Sequence, residues 1–150
     1  MTALTIALAA DHAGYELKGA LMEQVAAAGH TVLDLGTDGP ASVDYPDFGR
    51  AAAEAVVAGR AAVAIIVCGS GIGISIAANR VPGARAALCH DVTTARLCRQ
   101  HNNANILALG ARVTGAETAR QMVEAFLATA FEGGRHQRRV EKLDVHPSHS

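Results

Sequence analysis

Five short apolar runs set the order of this chain, at residues 5–10, 31–35, 62–67, 84–88 and 105–109. Each is closed by a polar or glycine-rich turn and followed by a stretch in which apolar residues return at three- and four-residue spacing. Leu17, Leu21, Val25 and Ala28 are the first such set. Strands buried on both faces read as continuous apolar runs, because helices cover both sides of a parallel sheet. The alternation therefore predicts an α/β chain, a three-layer Rossmann-like fold with a five-stranded parallel sheet and right-handed crossovers. At 150 residues it makes a single domain over 1–150. Alanine is abundant and aromatics are only 3%, with no Trp, which suits close approach of helices to a sheet.

Local signals bound the helices. Gly29 stops a helix over 15–28, Pro46 opens one that runs to about Ala58, and another is expected over 73–79. Asp91 caps a helix over 91–100, and Thr114 with Glu117 forms a capping box for a helix ending near Ala130. Gly133-Gly134 then introduces a basic C-terminal arm over about 133–145, and a frayed tail follows over 146–150.

A formal net charge of −1 excludes the broad basic face that nucleic acid or an anionic membrane requires. No apolar stretch approaches the ~20 residues of a membrane helix. No basic flank precedes the first apolar run, so a signal peptide is not expected. Cys68, Cys89 and Cys98 form no close pair and fit a reducing cytoplasm.

In a parallel sheet, ligands sit at the carboxyl ends of the strands. That rule selects Asp11-His12, Cys68 to Gly73, His90-Asp91 and Gly110 to Arg112. Three glycines in Gly69-Ser70-Gly71-Ile72-Gly73 can turn backbone N–H groups toward one point beside a helix start, which makes an anion or oxyanion nest. The bland alternative is a tight turn that needs glycine for positive φ. It is not a Walker loop, and Ile74 stands where a dinucleotide fingerprint has its third glycine. Asp91, twenty residues after Gly71, keeps a nucleotide-binding module open as a rival. Cys68 precedes the nest, where a thiol beside a helix N-terminus can serve as base or nucleophile; Cys89 and Cys98 read as structural. Among the histidines, His30 reads as a surface residue, while His12, His90 and His101 stand at element ends. Asp11, His12, His90 and Asp91 could imitate a metal site, without the close histidine pair that would support it. Arg135, Arg138 and Arg139 with His136 are ordinarily a solvated basic face, but guanidinium forks also suit a phosphate dianion.

Together these stretches resemble the type B ribose-5-phosphate isomerases, grouped with the galactose-6-phosphate isomerase subunits. The resemblance rests on Ala10-Asp11-His12-Ala13-Gly14-Tyr15, Asp44-Tyr45-Pro46, the run from Cys68 to Asn79, Arg99-Gln100-His101-Asn102-Asn103, Gly110-Ala111-Arg112 and the run from Glu132 to Val140. They follow in order over nearly the whole chain.

The resemblance implies an aldose–ketose isomerase that interconverts D-ribose 5-phosphate and D-ribulose 5-phosphate in the pentose phosphate pathway, with allose 6-phosphate or galactose 6-phosphate as alternative substrates. It implies Cys68 as the carbon base and the nest of Gly69, Ser70, Gly71, Ile72 and Gly73, with the Ser70 hydroxyl, as the oxyanion holder. His101 would open the furanose ring, Asp11 would bind the ring end, Asn102 would position the chain, and Tyr45 would line the site. His12, Arg112, Arg135 and Arg139 would grip the phosphate. No metal or other cofactor is implied. The resemblance also implies a homodimer or tetramer with the site between subunits, so that His101, Arg112 and the C-terminal arginines meet a partner's nest. Some members replace the cysteine with a carboxylate a few residues on; Ser75 stands there, which implies the Cys68 version. Ser70 stands where many members have Thr.

Overall fold

The computed structural model describes residues 2–144, so the tail expected over 146–150 lies outside the described residues. The elements alternate as expected: β1 (Thr5–Ala10), α1 (Tyr15–Ala27), β2 (Thr31–Asp34), α2 (Tyr45–Val57), β3 (Val63–Cys68), α3 (Ile72–Asn79), β4 (Ala86–Leu88), α4 (Val92–Asn102), β5 (Ile106–Gly110), α5 (Ala116–Ala128) and α6 (Arg135–Leu143). The five strands form one all-parallel sheet in the order β2-β1-β3-β5-β4.

Strand parity sorts the core into two layers, because successive side chains leave opposite faces of a sheet. Ile6, Leu8, Ile65, Val67, Leu107 and Leu109 face α1, α4 and α5, which contribute Leu21, Val25, Ala95, Met122 and Phe126. Ala7, Ala9, Ala64, Ile66, Cys68 and Ala108 face α2 and α3, which supply Ala52, Ala53, Ala55, Ile74 and Ala78. The second layer is mostly alanine, so helices sit close over the sheet and over each other. A Cβ on Gly49 would stand 2.8 Å from the Ile74 carbonyl oxygen. Cys68, on this side, is thereby brought beside the first turn of α3.

Several boundaries differ from expectation for local reasons. β4 begins at Ala86 because the Arg85 N–H is taken by the Asn105 side chain at 2.7 Å. α4 runs on to Asn102 before Asn103 turns left-handed at φ 47°, which carries His101 and Asn102 on its last turn. Asp91 does cap α4, accepting from the Thr94 N–H at 2.7 Å. The Thr114–Glu117 box does not form. Gly115 is the N-cap of α5 without a side-chain bond, the Thr114 N–H closes a turn onto the Gly110 carbonyl, and its hydroxyl is buried. His30 is buried rather than on the surface; its Nδ1 accepts from the Leu4 N–H at 3.1 Å and ties the chain ahead of β1 to the start of β2.

Lys18 of α1 is fully buried and its ammonium pairs with Asp34 at the end of β2. Burial alone would raise the Asp34 carboxyl, but the Lys18 ammonium and the Gly36 N–H outweigh it and hold it below the ordinary carboxylate range. Asp34→Ala leaves a buried, unpaired cation and is expected to cost about 2 kcal/mol, below the usual buried-pair loss because Asp34 is half open to water. A depressed carboxyl contributes stability above its unfolded value and loses it as pH falls through the folded one. Urea melts should therefore separate the wild type from Asp34→Ala at neutral pH and converge in acid, below the ordinary carboxylate range. A constant gap across that range would exclude the pair as its source.

Candidate active site

At the carboxyl ends of β1, β3 and β5 lies an open pocket of about 550 Å³, and its floor is the turn after Cys68. Gly71 adopts φ 81° as the N-cap of α3, a left-handed conformation that favours glycine. Its N–H donates to the Cys68 Sγ at 3.2 Å. The Ile72 N–H donates to the Ser70 Oγ at 3.1 Å, so that hydroxyl keeps its own proton to offer the pocket. The Ser70 and Gly73 positions line the cavity with Gly69 and Ile72, whereas Gly71 is buried beneath it. Of the glycines expected in the nest, Gly71 directs its N–H to the sulfur. The N–H of Gly73, in the first turn of α3, is one of those a helix leaves without an intrahelical partner. Gly73 has no Cβ because the Tyr45 ring, from the start of α2, occupies that space.

Asp11, Tyr45 and Arg112 complete the pocket. The Asp11 Oδ1 accepts from the Ala13 and Gly14 N–H groups at 3.0 and 3.2 Å, which fixes the carboxylate at the end of β1. Arg112 donates its backbone N–H to the Gly69 carbonyl at 2.9 Å and lays its guanidinium against Gly69 of the same chain. Arg112 thus lies against the nest of its own chain. His12 does not line the pocket. Its Nδ1 accepts from the Val43 N–H at 3.1 Å, so the neutral ring carries its proton on Nε2. The buried Ser75 donates its hydroxyl to the Ile72 carbonyl at 2.7 Å and braces the first turn of α3.

The remaining expected groups lie elsewhere. His101, Asn102 and Arg139 line a second cavity of about 270 Å³ between α4 and α6, with the buried His136 and Val140. Arg135 is exposed and borders neither cavity, and Arg138 is likewise exposed. The two cavities share no lining residue. Asp91 serves as a helix cap, with the Thr94 N–H and hydroxyl holding its carboxyl below the ordinary range. Cys98 donates to the Ala95 carbonyl, and its contact with Cys89 together with burial pushes its thiol up, consistent with a packing role.

The sequence reading missed Ile76 and Val113, which line the first pocket and are 54% and 59% exposed, and it left His136 among the solvated basic residues. The signals were spacings of four: Ile72 with Ile76 on the outer side of α3, and His136 with Val140 on the inner side of α6.

A thiol held by a backbone N–H, a hydroxyl donor and a guanidinium at the ends of a parallel sheet define a small doubly wound α/β enzyme. The family model described as Ribose/Galactose Isomerase matches residues 6–143, and the chain belongs to that family. Ribose-5-phosphate isomerase B of Escherichia coli (strain K12) is 44% identical over 138 residues, 92% of this chain and 93% of that protein. The solved ribose-5-phosphate isomerase B of Clostridium thermocellum superposes with a TM-score of 0.93 at 50% identity, covering 93% of this chain and 95% of that one. The enzyme of Mycoplasma genitalium, solved with bound ribulose-5-phosphate, gives 0.89 at 41% identity, covering 93% of each chain. Among the described residues no helix is long and apolar enough to cross a membrane.

Proposed function

We infer that this chain is an aldose–ketose isomerase interconverting D-ribose 5-phosphate and D-ribulose 5-phosphate. The observation that carries the reading is the Cys68 sulfur, held by the Gly71 N–H at the mouth of the central strand in a chain that matches its family from residue 6 to 143. The reaction moves a proton between C1 and C2 through an enediolate, so it needs a base at carbon and donors for charge developing on oxygen. Cys68 is the base. The Ser70 hydroxyl and the Gly73 N–H hold the oxyanion, and Gly69 and Ile72 shape the floor. Asp11 binds the ring end beside Tyr45. These groups perform the proton transfer with no organic or metal cofactor.

Ring opening requires a proton donor at the ring oxygen, and His101 takes that role with Asn102 beside it. His101 lies in a different cavity from Cys68, which supports a homodimer in which one site draws on two chains. Tyr45, Ile72, Ile76 and Val113 leave an exposed apolar rim around the first pocket, 42–59% exposed, and a second copy covers it. The partner brings Arg135 and Arg139 to the phosphate, which the first chain's Arg112 also approaches; His12, next to Asp11 but outside the pocket lining, reaches it only at the pocket's edge.

Chelator-treated protein offered ribose 5-phosphate, allose 6-phosphate and galactose 6-phosphate separately should form ketose fastest from ribose 5-phosphate. Preference for a six-carbon substrate would keep the chemistry and replace the substrate; no conversion of any would sink the reading. A phosphate remote from the reacting carbons contributes binding in ground and transition states alike, so Arg139→Ala should raise KM about tenfold or more and leave kcat nearly unchanged. A fall confined to kcat would place Arg139 at the reacting carbons instead.

A further inference from the structure

We propose that His101, Glu132 and His136 form a binding site for a divalent transition-metal cation of the zinc class, with two imidazoles and one carboxylate as ligands. His136 is 6% exposed, and its Nε2 is buried with no hydrogen-bond partner among the described residues. Glu132 Oε1 stands 3.5 Å from that nitrogen. The His101 ring stacks on the His136 ring with centroids 4.4 Å apart and planes 16° from parallel. One ligand atom from each of the three lies within 4.8 Å of the other two. A buried ring nitrogen without a partner is unfavourable, and a metal ion is one of the few groups that can take up its lone pair.

The backbone holds the three donors together before any ion arrives. The Glu132 N–H donates to the carbonyl of Gln100, the residue before His101, at 3.1 Å, and the His136 N–H donates to the Gly133 carbonyl at 3.0 Å. Two imidazoles and a carboxylate suit zinc, which takes three protein ligands and leaves a fourth position open to water. Tetrahedral zinc separates its donors by roughly 3.3 Å. It also lies in the plane of each ligating ring, so the stack must open. His101, only half-buried, is the ring that turns, while His136 stays fixed in the α4–α6 interface.

Charge sets the strength of the site. Metal binding requires the neutral imidazole, so occupancy competes with protons and weakens in acid. Arg135 and Arg139 oppose a cation there, and Glu132 is the acidic group that offsets them. The site is therefore weaker than a structural zinc centre and depends on Glu132. Occupancy takes His101 away from ring opening, so the cation is a reversible inhibitor; that consequence rests on the function proposed above.

The binding test uses the Cys68→Ala chain, which removes the pocket thiol as a competing ligand. Calorimetric titration with Zn²⁺ should give one equivalent per chain, and Co²⁺ should give a nitrogen–oxygen spectrum without a sulfur charge-transfer band. Adding Glu132→Gln or His136→Gln should weaken binding about tenfold or more. No binding, a sulfur band, or binding indifferent to both substitutions would overturn the site. With Cys68 present, Zn²⁺ should lower turnover, a chelator should restore it, and Glu132→Gln should resist the same Zn²⁺ concentration. Stoichiometric binding without loss of turnover would uphold the site and overturn the role of His101 instead.

Discussion

Replacing Cys68 with alanine should lower isomerisation by about 10²–10⁴-fold while the protein keeps its fold and its affinity for the sugar phosphate. The side chain is small and 4% exposed, and among the described residues its sulfur accepts one hydrogen bond, from the Gly71 N–H at 3.2 Å. Removing the sulfur leaves one N–H without an acceptor, a cost of about 1 kcal/mol, which is a small fraction of a domain's stability. Cys68→Ser separates chemistry from packing, since it restores an acceptor of similar size that is a far poorer carbon base. Both variants should therefore show the same collapse in kcat with melting temperatures close to wild type. Ketose formation and a thermal melt on the same preparations check this. A Cys68→Ala chain with near-normal turnover would mean that another group removes the proton.

How much of this could be read from the sequence depended on whether the signal was periodic or geometric. The continuous apolar runs identified the three central strands because those are buried on both faces, whereas the edge strands β2 and β4 are only partly buried and were marked by their place between turns and helices. The same runs located the site, since the loops after β1, β3 and β5 had to meet at one edge. Charge and turn chemistry did less well where two partners competed for one group. Thr114 had the right neighbour at Glu117, but its backbone closes the Gly110 turn and the helix starts one residue late. His30 carried no mark of burial in its own neighbourhood; the Leu4 N–H that it meets comes from 26 residues away. The glycines after β3 read first as an anion nest, with positive φ as the bland alternative; Gly71 is left-handed, and its N–H is aimed at sulfur. The basic arm hid two sets of residues, because on α6 the exposed Arg135, Arg138 and Arg139 alternate with the buried His136 and Val140. Composition reports the charges and is silent about the side that packs against α4.

The alanine-rich face of the sheet connects packing to chemistry. Ala7, Ala9, Ala64 and Ala108 leave α2 and α3 little to stand off from, so the first turn of α3 can reach the end of β3. Larger residues there would lift α3, and the Gly71 N–H with it, away from the sulfur. The 3.2 Å contact between the Gly71 N–H and the Cys68 sulfur is held in place by the smallness of side chains that line none of the pocket.

Inactive Cys68→Ala and His101→Asn chains should recover activity when they are unfolded together and allowed to reassociate. In the two-fold dimer proposed above, each site would pair the Cys68 of one chain with the His101 of the other. A hybrid then has one site with both residues replaced and one with both intact. Random pairing makes half the dimers hybrids, and half their sites work, so the mixture should regain about a quarter of the wild-type activity per site. Two controls fix the meaning. Each variant refolded alone should remain inactive, and a chain carrying both substitutions, mixed with wild type, should form hybrids that have no intact site. Native mass spectrometry reports whether hybrids form at all. Hybrids that form without regaining activity would place Cys68 and His101 in the same chain's site, and would require α4 and α6 to move toward the nest within one subunit. The separation of the two cavities, each open and neither containing both a base and a ring-opening acid, favours the shared site.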